Sequence, residues 1–370
     1  MASKAKKVKV LVLSVLGVLL LLLLTLFVIV WINSPGKLRP LADEQGTEIA
    51  GSLTEKEWLE IGGIKQGFFI RSENPDNPVI LFLHGGPGSP ELPLIEACEK
   101  NERLEKYFTV CYWDQRGAGM TYSKDTDPTS ANVPQFVEDT RELTEYLTTR
   151  FGKDKIYLMG HSWGSYLGVK VVEKYPEYYH AYIGIGQVTH QHLSEQLAYQ
   201  YMMERATETN DTKVIKNLAK YDPEAKDFPA NDYLLKARTI IMNKYEIGIT
   251  HEPYSMASLL KDVLLFRGYT LSEKMKYAQG SMFSLNHVFH YVIADNLFES
   301  STSFQVPVYI IHGLYDYQVS YELAKQWLEQ IETMDKHLYT FENSAHSPNI
   351  EEPEKFVQIM REIERQNTFR

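Results

Sequence analysis

The chain opens with a long uncharged stretch and continues as an alternation of short apolar runs and amphipathic segments. No charged residue occurs from Val10 to Gly36, and Val10–Ile32 is almost wholly leucine, valine and isoleucine. A helix of that length would rise about 35 Å, enough to cross the hydrocarbon core of a membrane. The pattern therefore predicts a membrane-spanning helix near the N-terminus.

A cleaved secretory signal is the alternative interpretation of this stretch. The apolar region of such a signal usually runs only about 7–15 residues before an A-x-A-like cleavage site, and no such site follows in Trp31–Pro35. We therefore expect an uncleaved, single-pass anchor in the cell membrane. Four lysines precede the span and only Lys37 and Arg39 follow it closely, so the N-terminus is expected in the cytoplasm and the remaining chain outside.

The rest of the chain alternates predicted strands with predicted helices. The predicted strands are Trp58–Ile61, Ile64–Ile70, Val79–Leu83, Thr109–Trp113, Ile156–Met159, Val308–Ile311 and His337–Phe341. Four helices are predicted in this part of the chain. The first begins at about Pro134, the second runs from the glycine after Met159 to Pro176, the third covers Glu322–Ile331, and the fourth starts at Pro353. Gly62 and Gly63 form the pair that a tight hairpin turn prefers between the first two strands.

Alternation of this kind predicts an α/β fold, with a mostly parallel central sheet and helices on both faces. Between about Gln187 and Ser303 the alternation stops, and the stretch indicates helices without sheet strands. We therefore expect an anchor at 1–40, a core at 41–186 and 304–370, and an inserted helical cap at 187–303. A separate domain in place of the cap is the alternative.

Composition and charge exclude several classes of protein. Hydrophobic residues make up 44% and charged residues 23%, which excludes a disordered chain. The first forty residues carry six basic and no acidic side chains, whereas the whole chain has a net charge of −10, so the remainder carries −16. Such an acidic body repels phosphate backbones, so we expect no nucleic-acid partner. Cys98 and Cys111 could pair outside the cell, although burial of Cys111 as a small hydrophobe is favoured.

The most informative motif is the G-x-S-x-G sequence Gly160–Gly164, which lies between a predicted strand and a predicted helix. In that context the serine sits on a sharp, strained turn, and its neighbours two residues away must be small. Ser162 is therefore predicted to be a nucleophile. A serine that merely caps a helix is the alternative.

A serine hydroxyl needs a base within hydrogen-bonding reach, and in this type of fold the acid and then the histidine follow the serine along the chain. Asp316 and His346 follow the last two predicted strands. We predict that His346 acts as general base and then acid, and that Asp316 orients and stabilises its ring. His312 is the nearest rival base, and Asp295 and Asp335 are the alternative acids.

The glycine-rich turn His84–Gly88 directly follows the buried strand Val79–Leu83. Backbone N–H groups in such a turn can approach a ligand oxygen with no Cβ in the way. We therefore predict that Gly86 and Trp163, the residue after the serine, donate the hydrogen bonds of an oxyanion hole.

Three segments together resemble the proline iminopeptidase family of α/β hydrolases: His84–Gly88, Trp113–Gly117 and Gly160–Ser165. The resemblance implies an α/β-hydrolase core with a helical cap, a triad of Ser162, Asp316 and His346, and release of an N-terminal residue, often proline, from a peptide. It also implies a structural role for Arg116. Thr121 stands where the family usually has serine.

The resemblance further implies that acidic residues of the cap bind the free α-amine of the substrate. Glu204 is the candidate, and Glu195 is another, although a solvated helix face is the favoured interpretation of such residues. The leading hypothesis is a membrane-anchored serine aminopeptidase acting on a peptide substrate. The alternative is an esterase or amidase for a small-molecule ester or lactone. Neither requires a cofactor or a metal, and the sequence leaves the oligomeric state open.

Overall fold

The computed structural model describes residues 2–98, 102–225, 227–229, 231–252 and 254–368. Its centre is a single eight-stranded sheet. The strands are β1 (Leu53–Ile61), β2 (Ile64–Ser72), β3 (Val79–Leu83), β4 (Thr109–Asp114), β5 (Ile156–His161), β6 (Tyr179–Ile185), β7 (Val308–Gly313) and β8 (Lys336–Phe341).

The strand order is β1-β2-β4-β3-β5-β6-β7-β8. β1 and β2 form an antiparallel hairpin, β2 pairs antiparallel with β4, and the pairs from β4 through β8 are parallel. Gly62 and Gly63 make the hairpin turn with φ of +53° and +73°, the left-handed values that favour glycine. The prediction of a mostly parallel sheet that begins with a hairpin is confirmed.

The helices, in chain order, are α1 (Ala2–Ile32), α2 (Leu92–Cys98), α3 (Val133–Phe151), α4 (Trp163–Lys174), α5 (Gln191–Glu208), α6 (Thr212–Leu218), α7 (Asn231–Tyr233), α8 (Thr239–Lys244), α9 (Met256–Leu265), α10 (Leu271–His287), α11 (Phe289–Ala294), α12 (Leu297–Ser300), α13 (Tyr321–Gln330), α14 (Pro348–Glu351) and α15 (Pro353–Thr368). A π-helical segment, Leu234–Arg238, lies between α7 and α8.

Helices cover both faces of the sheet, and β3 shows why its sequence is apolar throughout. Leu81 and Leu83 point into a core shared with α3, α4 and α13. Ile80 and Phe82 point into a second core shared with α2 and α15. Because successive side chains of a strand face opposite sides, a strand covered on both faces has no polar positions.

One strand was not predicted. The sequence pattern predicts a helix that ends at Pro176 and no element directly after it, whereas the structure has a single 3₁₀ turn at Pro176–Tyr178 and then β6. β6 is buried except at His180 and lies between β5 and β7. Cys111 is buried on β4 and is not joined to Cys98 by a disulfide.

Between β6 and β7 the described residues form helices α5 to α12 and no sheet strand. Tyr199 and Met202 of α5 pack with Tyr233 and Ile241 in a hydrophobic cluster of their own. The aromatic and methionine side chains of this segment therefore serve first as the core of the inserted helices.

Hydrogen bonds hold the C-terminal end of the apolar helix α1 against the segment that follows α9. Val30 is buried, whereas most of α1 exposes its apolar side chains. The Lys37 N–H donates to the Arg267 carbonyl at 3.0 Å, and Pro35 forms a bridge with Thr270. The Lys274 Nζ donates to the carbonyls of Asn33 and Leu264, each at 2.6 Å. The end of α1 is therefore held against the body of the protein.

Candidate active site

Ser162 occupies a strained turn between β5 and α4. Its φ is +54°, a value that costs a non-glycine residue on the order of 1–3 kcal/mol. A Cβ at position 160 would lie 2.2 Å from the Gly164 carbonyl oxygen, and a Cβ at 164 would lie 2.0 Å from that of Leu83. Glycine is therefore required on both sides of the serine, as the motif predicts.

The structure brings the predicted histidine and acid together. The Nδ1 of His346 lies 2.8 Å from Asp316 Oδ2, while Asp316 Oδ1 accepts the N–H groups of Gln318 and Val319, each at 2.9 Å. His312, the rival base, also contacts Asp316 Oδ2, at 3.0 Å. His312 is fully buried, whereas His346 lines two cavities together with Ser162. The geometry therefore favours His346 as the partner of the serine.

Burial and neighbouring charges set the ionisation of this pair. Burial would raise the pKa of Asp316, but the charge of His346 and the hydrogen bonds from His312 and His346 lower it strongly. Burial lowers the pKa of His346, and the attraction of Asp316 does not fully offset this effect. Asp316 is therefore ionised and His346 is neutral at neutral pH, the states that a general base and its orienting acid require.

Two cavities meet at Ser162, and each has a volume of about 180 Å³. Both are lined by Gly86, Ser162, Gln318 and His346. The first, here called the cap-side cavity, is otherwise lined mainly by cap residues, including Leu234, Leu235, Arg238, Leu285 and Phe289. The second, here called the loop-side cavity, is lined by residues that include Gly85, Glu91, His161, Leu259 and Tyr277.

The glycine-rich turn lies against the serine. A Cβ at position 85 would be 3.1 Å from the Ser162 Cβ, and Gly86 has a φ of +114°. Gly86 and Trp163 both line the cap-side cavity, and Trp163 is the first residue of α4. Backbone N–H groups at a helix N-terminus have no intrahelical acceptor, so this corner can bind a negatively charged oxygen.

Gln115, in the segment after β4, supports the glycine-rich turn, although its sequence position alone did not mark it as a site residue. Gln115 Oε1 accepts the indole N–H of Trp163 at 2.8 Å, and its Nε2 donates to the His84 carbonyl at 3.3 Å. Gln115 therefore connects the two elements that carry the predicted oxyanion donors. Its position in the Trp113–Gly117 motif was the available signal, but the two contacts depend on tertiary structure.

Arg116 points away from both cavities. Its guanidinium makes two bonds to the fully buried Asp139, from Nε at 2.8 Å and from Nη2 at 2.9 Å. The hydroxyl of Thr121 donates to the Asp114 carbonyl and accepts the Gly67 N–H. A serine hydroxyl could make the same bonds, which explains why threonine is tolerated there.

A second imidazole–carboxylate pair, also not predicted, lies beside the first. His161 Nδ1 is 2.8 Å from Glu91 Oε1, and its Nε2 is 2.8 Å from the His346 carbonyl oxygen. Glu91 Oε1 also accepts the Gly85 N–H at 2.6 Å. The pair thus joins the glycine-rich turn, the serine turn and the histidine loop. Seventy residues separate its members in the sequence, which is why local patterns did not reveal it.

The two acidic residues proposed for the substrate amine lie in different environments. Glu204 is exposed on α5 and does not line either cavity, so its role stays a prediction without support from the cavity geometry. Glu195 is fully buried, and its carboxylate accepts bonds from Arg238 Nε at 2.7 Å and Gln191 Nε2 at 2.9 Å. Among the described residues that line the two cavities, Glu91 is the carboxylate.

This chain is similar to known proteins over most of its length. Residues 78–353 match the α/β hydrolase fold family. A probable aminopeptidase of Bacillus subtilis, YbaC, is 34% identical over 305 residues, which cover 82% of this chain and 93% of that protein. A proline iminopeptidase of Saccharolobus solfataricus is 24% identical, with 84% of this chain and 92% of that protein covered. The crystal structure of a proline iminopeptidase from Mycobacterium smegmatis superposes with a TM-score of 0.62 at 16% identity, covering 85% and 98% of the two chains.

Proposed function

Because this chain belongs to the proline iminopeptidase family of α/β hydrolases, we propose that it is a membrane-anchored serine aminopeptidase. It would release N-terminal residues from peptides through an acyl-enzyme on Ser162. One observation carries the proposal: Ser162 and His346 line a cavity with Gly86 and Trp163, and Asp316 binds the far nitrogen of the His346 ring.

The first half of the reaction forms the acyl-enzyme. His346 Nε2 accepts the hydroxyl proton as Ser162 Oγ attacks the carbonyl carbon of the scissile bond. The N–H groups of Gly86 and Trp163 stabilise the negative oxygen that develops. Asp316 stabilises the imidazolium. His346 then gives its proton to the leaving amine, and the shortened peptide departs.

The second half repeats these steps with water. His346 takes a proton from a water molecule, whose oxygen attacks the acyl carbon. The collapse of the second tetrahedral intermediate returns the proton to Ser162 and releases the free amino acid. Each cavity is smaller than the roughly 300–1,000 Å³ typical of drug-sized ligands. Small volume on both sides of the serine supports removal of a single residue.

An esterase or amidase for small esters or lactones is the second candidate, and one observation favours it. In the family, acidic cap residues bind the substrate amine, but Glu195 is already neutralised here by Arg238, and Arg238 lines the cap-side cavity. This ion pair carries no net charge, so it offers a substrate ammonium group little attraction. An enzyme without a free-amine requirement would have no need of an unpaired cap carboxylate.

A substrate panel separates the two candidates. Free and amine-blocked aminoacyl p-nitroanilides, including proline and alanine, are compared with a simple acetate ester. The aminopeptidase hydrolyses the free compounds and refuses the blocked ones. Equal rates on blocked and free compounds, together with rapid ester hydrolysis, would replace the aminopeptidase with the esterase.

Labelling tests the nucleophile separately from the substrate. A fluorophosphonate probe is expected to label the wild-type protein and to fail with Ser162→Ala. Ser165, three residues after Ser162, provides a matched control. Its hydroxyl donates to the Ser162 carbonyl, and the Ser165→Ala protein should still be labelled at Ser162. Labelling that survives Ser162→Ala would remove Ser162 from the mechanism.

The proposed anchor is α1. Val8–Ile32 is long and apolar enough to cross a membrane, and almost none of it is buried. A signal sequence would have the same composition. The four lysines at positions 4 to 9 support an orientation in which the catalytic body lies outside the cytoplasm.

A further inference from the structure

Helix α9 exposes an apolar face at the point where the anchor ends. Met256 and Leu260 are each 58% exposed and Leu265 is 41% exposed. At 100° per residue, these side chains and those of Ala257 and Leu264 occupy one half of the helix surface. The opposite half carries the buried Asp262 and Val263. Lys261 is the charged residue on the outward half.

The same helix is held beside the end of α1. The two helices are in contact, and the ammonium group of Lys274 binds the carbonyls of Asn33 and Leu264, at the ends of α1 and α9. Arg267 Nη1 also donates to the Ile32 carbonyl at 3.4 Å. Since the apolar span ends at Ile32, α9 lies at the level where the hydrocarbon core meets the headgroups.

We propose that α9 is a second membrane contact, which lies in the lipid interface with Met256, Leu260 and Leu265 among the acyl chains. The proposal rests on α1 being a membrane anchor. A helix with one apolar face and a lysine beside it is typical of interfacial helices, which bury that face about 5–10 Å deep. Lys261 can extend its ammonium group to the headgroups.

A protein partner fits this face less well. A helix of ten residues presents a strip about 15 Å long and 10 Å wide. Each partner in a stable protein complex usually buries roughly 800 Å², several times the area of such a strip. Leu259, on the inner side of α9, lines the loop-side cavity with Ser162. The lipid contact would therefore place a wall of the active site next to the membrane surface.

Spin-label depth measurements on the full chain in phosphatidylcholine–phosphatidylglycerol vesicles test this proposal. A nitroxide is attached to Leu260→Cys, to Leu20→Cys in α1, and to Met334→Cys, all in a Cys98→Ser background. Met334 is 67% exposed and lies outside α9, so it controls for exposure alone. We expect the ratio of oxygen to nickel-chelate accessibility to be several-fold higher at 20 and 260 than at 334. The far-ultraviolet circular dichroism spectrum of each labelled protein verifies folding.

The outcomes separate this proposal from the anchor itself. A label that is immersed at 20 but aqueous at 260 overturns the α9 contact and leaves the anchor intact. Aqueous labels at both positions overturn both. A label at 334 that is immersed like the one at 260 means that lipid contact is not specific to α9, and also overturns the assignment.

A second inference follows independently from the hydrogen bonds of His161. Its Nδ1 faces the Glu91 carboxylate and its Nε2 faces the His346 carbonyl oxygen. A carbonyl oxygen only accepts, so Nε2 of His161 carries a proton, and beside an ionised Glu91 carboxylate Nδ1 carries one as well. The His161 ring lies 4.7 Å from the His346 ring, centroid to centroid.

We infer that His161 is an imidazolium, held by Glu91, that positions the His346 loop and keeps the His346 ring from protonating. The inference rests on His346 being the general base. Other ionisable groups near the two rings are His84, Asp316 and His312, together with Tyr277 beside Glu91. Burial opposes a charge on His161, but Glu91, together with the His346 carbonyl and Asp316, outweighs burial and raises the pKa of His161.

Glu91→Gln tests this inference because it removes the carboxylate while keeping an oxygen for the Gly85 N–H. His161 then becomes neutral, and the acid limb of kcat/KM should move to higher pH by roughly half a unit or more. His161→Gln should move it in the same direction. Glu173→Gln is the control, since Glu173 binds Ser301 away from both cavities, and its profile should match the wild type.

Nitrogen NMR of ¹⁵N-histidine-labelled wild-type protein gives a second measurement that needs no active variant. The His161 signal, identified by its loss in His161→Gln, should show two protonated nitrogens at pH 7. A neutral ring, with the proton on Glu91, overturns the inference. So does a Glu91→Gln enzyme that loses rate while its acid limb stays in place, because the pair would then be only structural.

Discussion

His346 occupies surroundings that disfavour its charged form, and this determines how the rate should depend on pH. Burial lowers its pKa, Asp316 raises it only in part, and His161 and His312 lower it further. A general base must be neutral to accept a proton. The rate should therefore hold as pH falls through 6.5, the ordinary histidine value, and decline only below it.

The measurement is kcat/KM on a free-amine p-nitroanilide from about pH 4.5 to about pH 8, a range that spans the ordinary histidine pKa of roughly 6.5. A half-maximal rate at or above the ordinary histidine value would contradict the assignment of His346 in this environment.

Gln115 is a positioning residue by its contacts, and its removal should slow the reaction without abolishing binding. Gln115→Ala leaves the Trp163 indole and the His84 carbonyl without their shared partner. Since losing one oxyanion donor costs about 100–1,000-fold, displacing two of them slightly should cost roughly 10- to 100-fold, mostly in kcat. Gln330→Ala, at an exposed glutamine bonded to the Phe298 carbonyl, is the matched control. Equal rates for the two variants would count against the positioning role.

At the site, features that depend on neighbouring residues in the sequence were predictable, and features that depend on distant residues were not. The strained turn at Ser162 was predictable because it needs glycine at 160 and 164, and these constraints are local. The contact between Asp316 and His346 was predictable from their places after strands. The Glu91–His161 pair and the role of Gln115 depend on contacts between distant segments, which one sequence does not encode as a pattern.

Among the elements, the loop after β4 and helix α3 are joined by a buried ion pair that should matter for stability. Arg116 and Asp139 are 2% and 0% exposed. Asp139→Asn leaves the guanidinium buried without a counter-charge, so the free energy of unfolding should fall by about 3–5 kcal/mol.

Urea unfolding of the full chain in detergent micelles measures this change. Asp295→Asn is the comparison, because the pair of Asp295 with Lys170 is partly exposed and solvent screens it. A loss at 139 no larger than the loss at 295 would be inconsistent with a structural role for the Arg116 pair.

The same physical distinction explains which elements were predicted. β3 and the first four residues of β7 are continuous apolar runs, and α3 carries a proline in its first turn and an asparagine N-cap, so their sequences specify them. β6 follows a proline and a run of tyrosines, and its strand conformation comes from insertion between β5 and β7. The surroundings of the cap acids suggested for amine binding were also not predictable from the sequence, because Arg238 pairs with Glu195 only after the cap folds.

For the whole molecule, the charge asymmetry and α1 lead to a prediction about topology. Carbonate washing of membranes should leave the full chain in the pellet, and detergent should release it. External protease on intact cells should digest the catalytic body while sparing an epitope placed before α1. Protection of Gly51–Arg370 under the same conditions would reverse the proposed orientation.

The fastening of residues 33–37 to the segment 264–274 has a consequence for how such an enzyme would meet its substrates. A body joined to its anchor through hydrogen bonds at Lys37 and Lys274 has no slack tether on which to swing. Its catalytic centre would travel at a constant height and search in two dimensions only. Peptides that adsorb to lipid would be concentrated at that height, so we expect them to be consumed before those that stay in bulk solution.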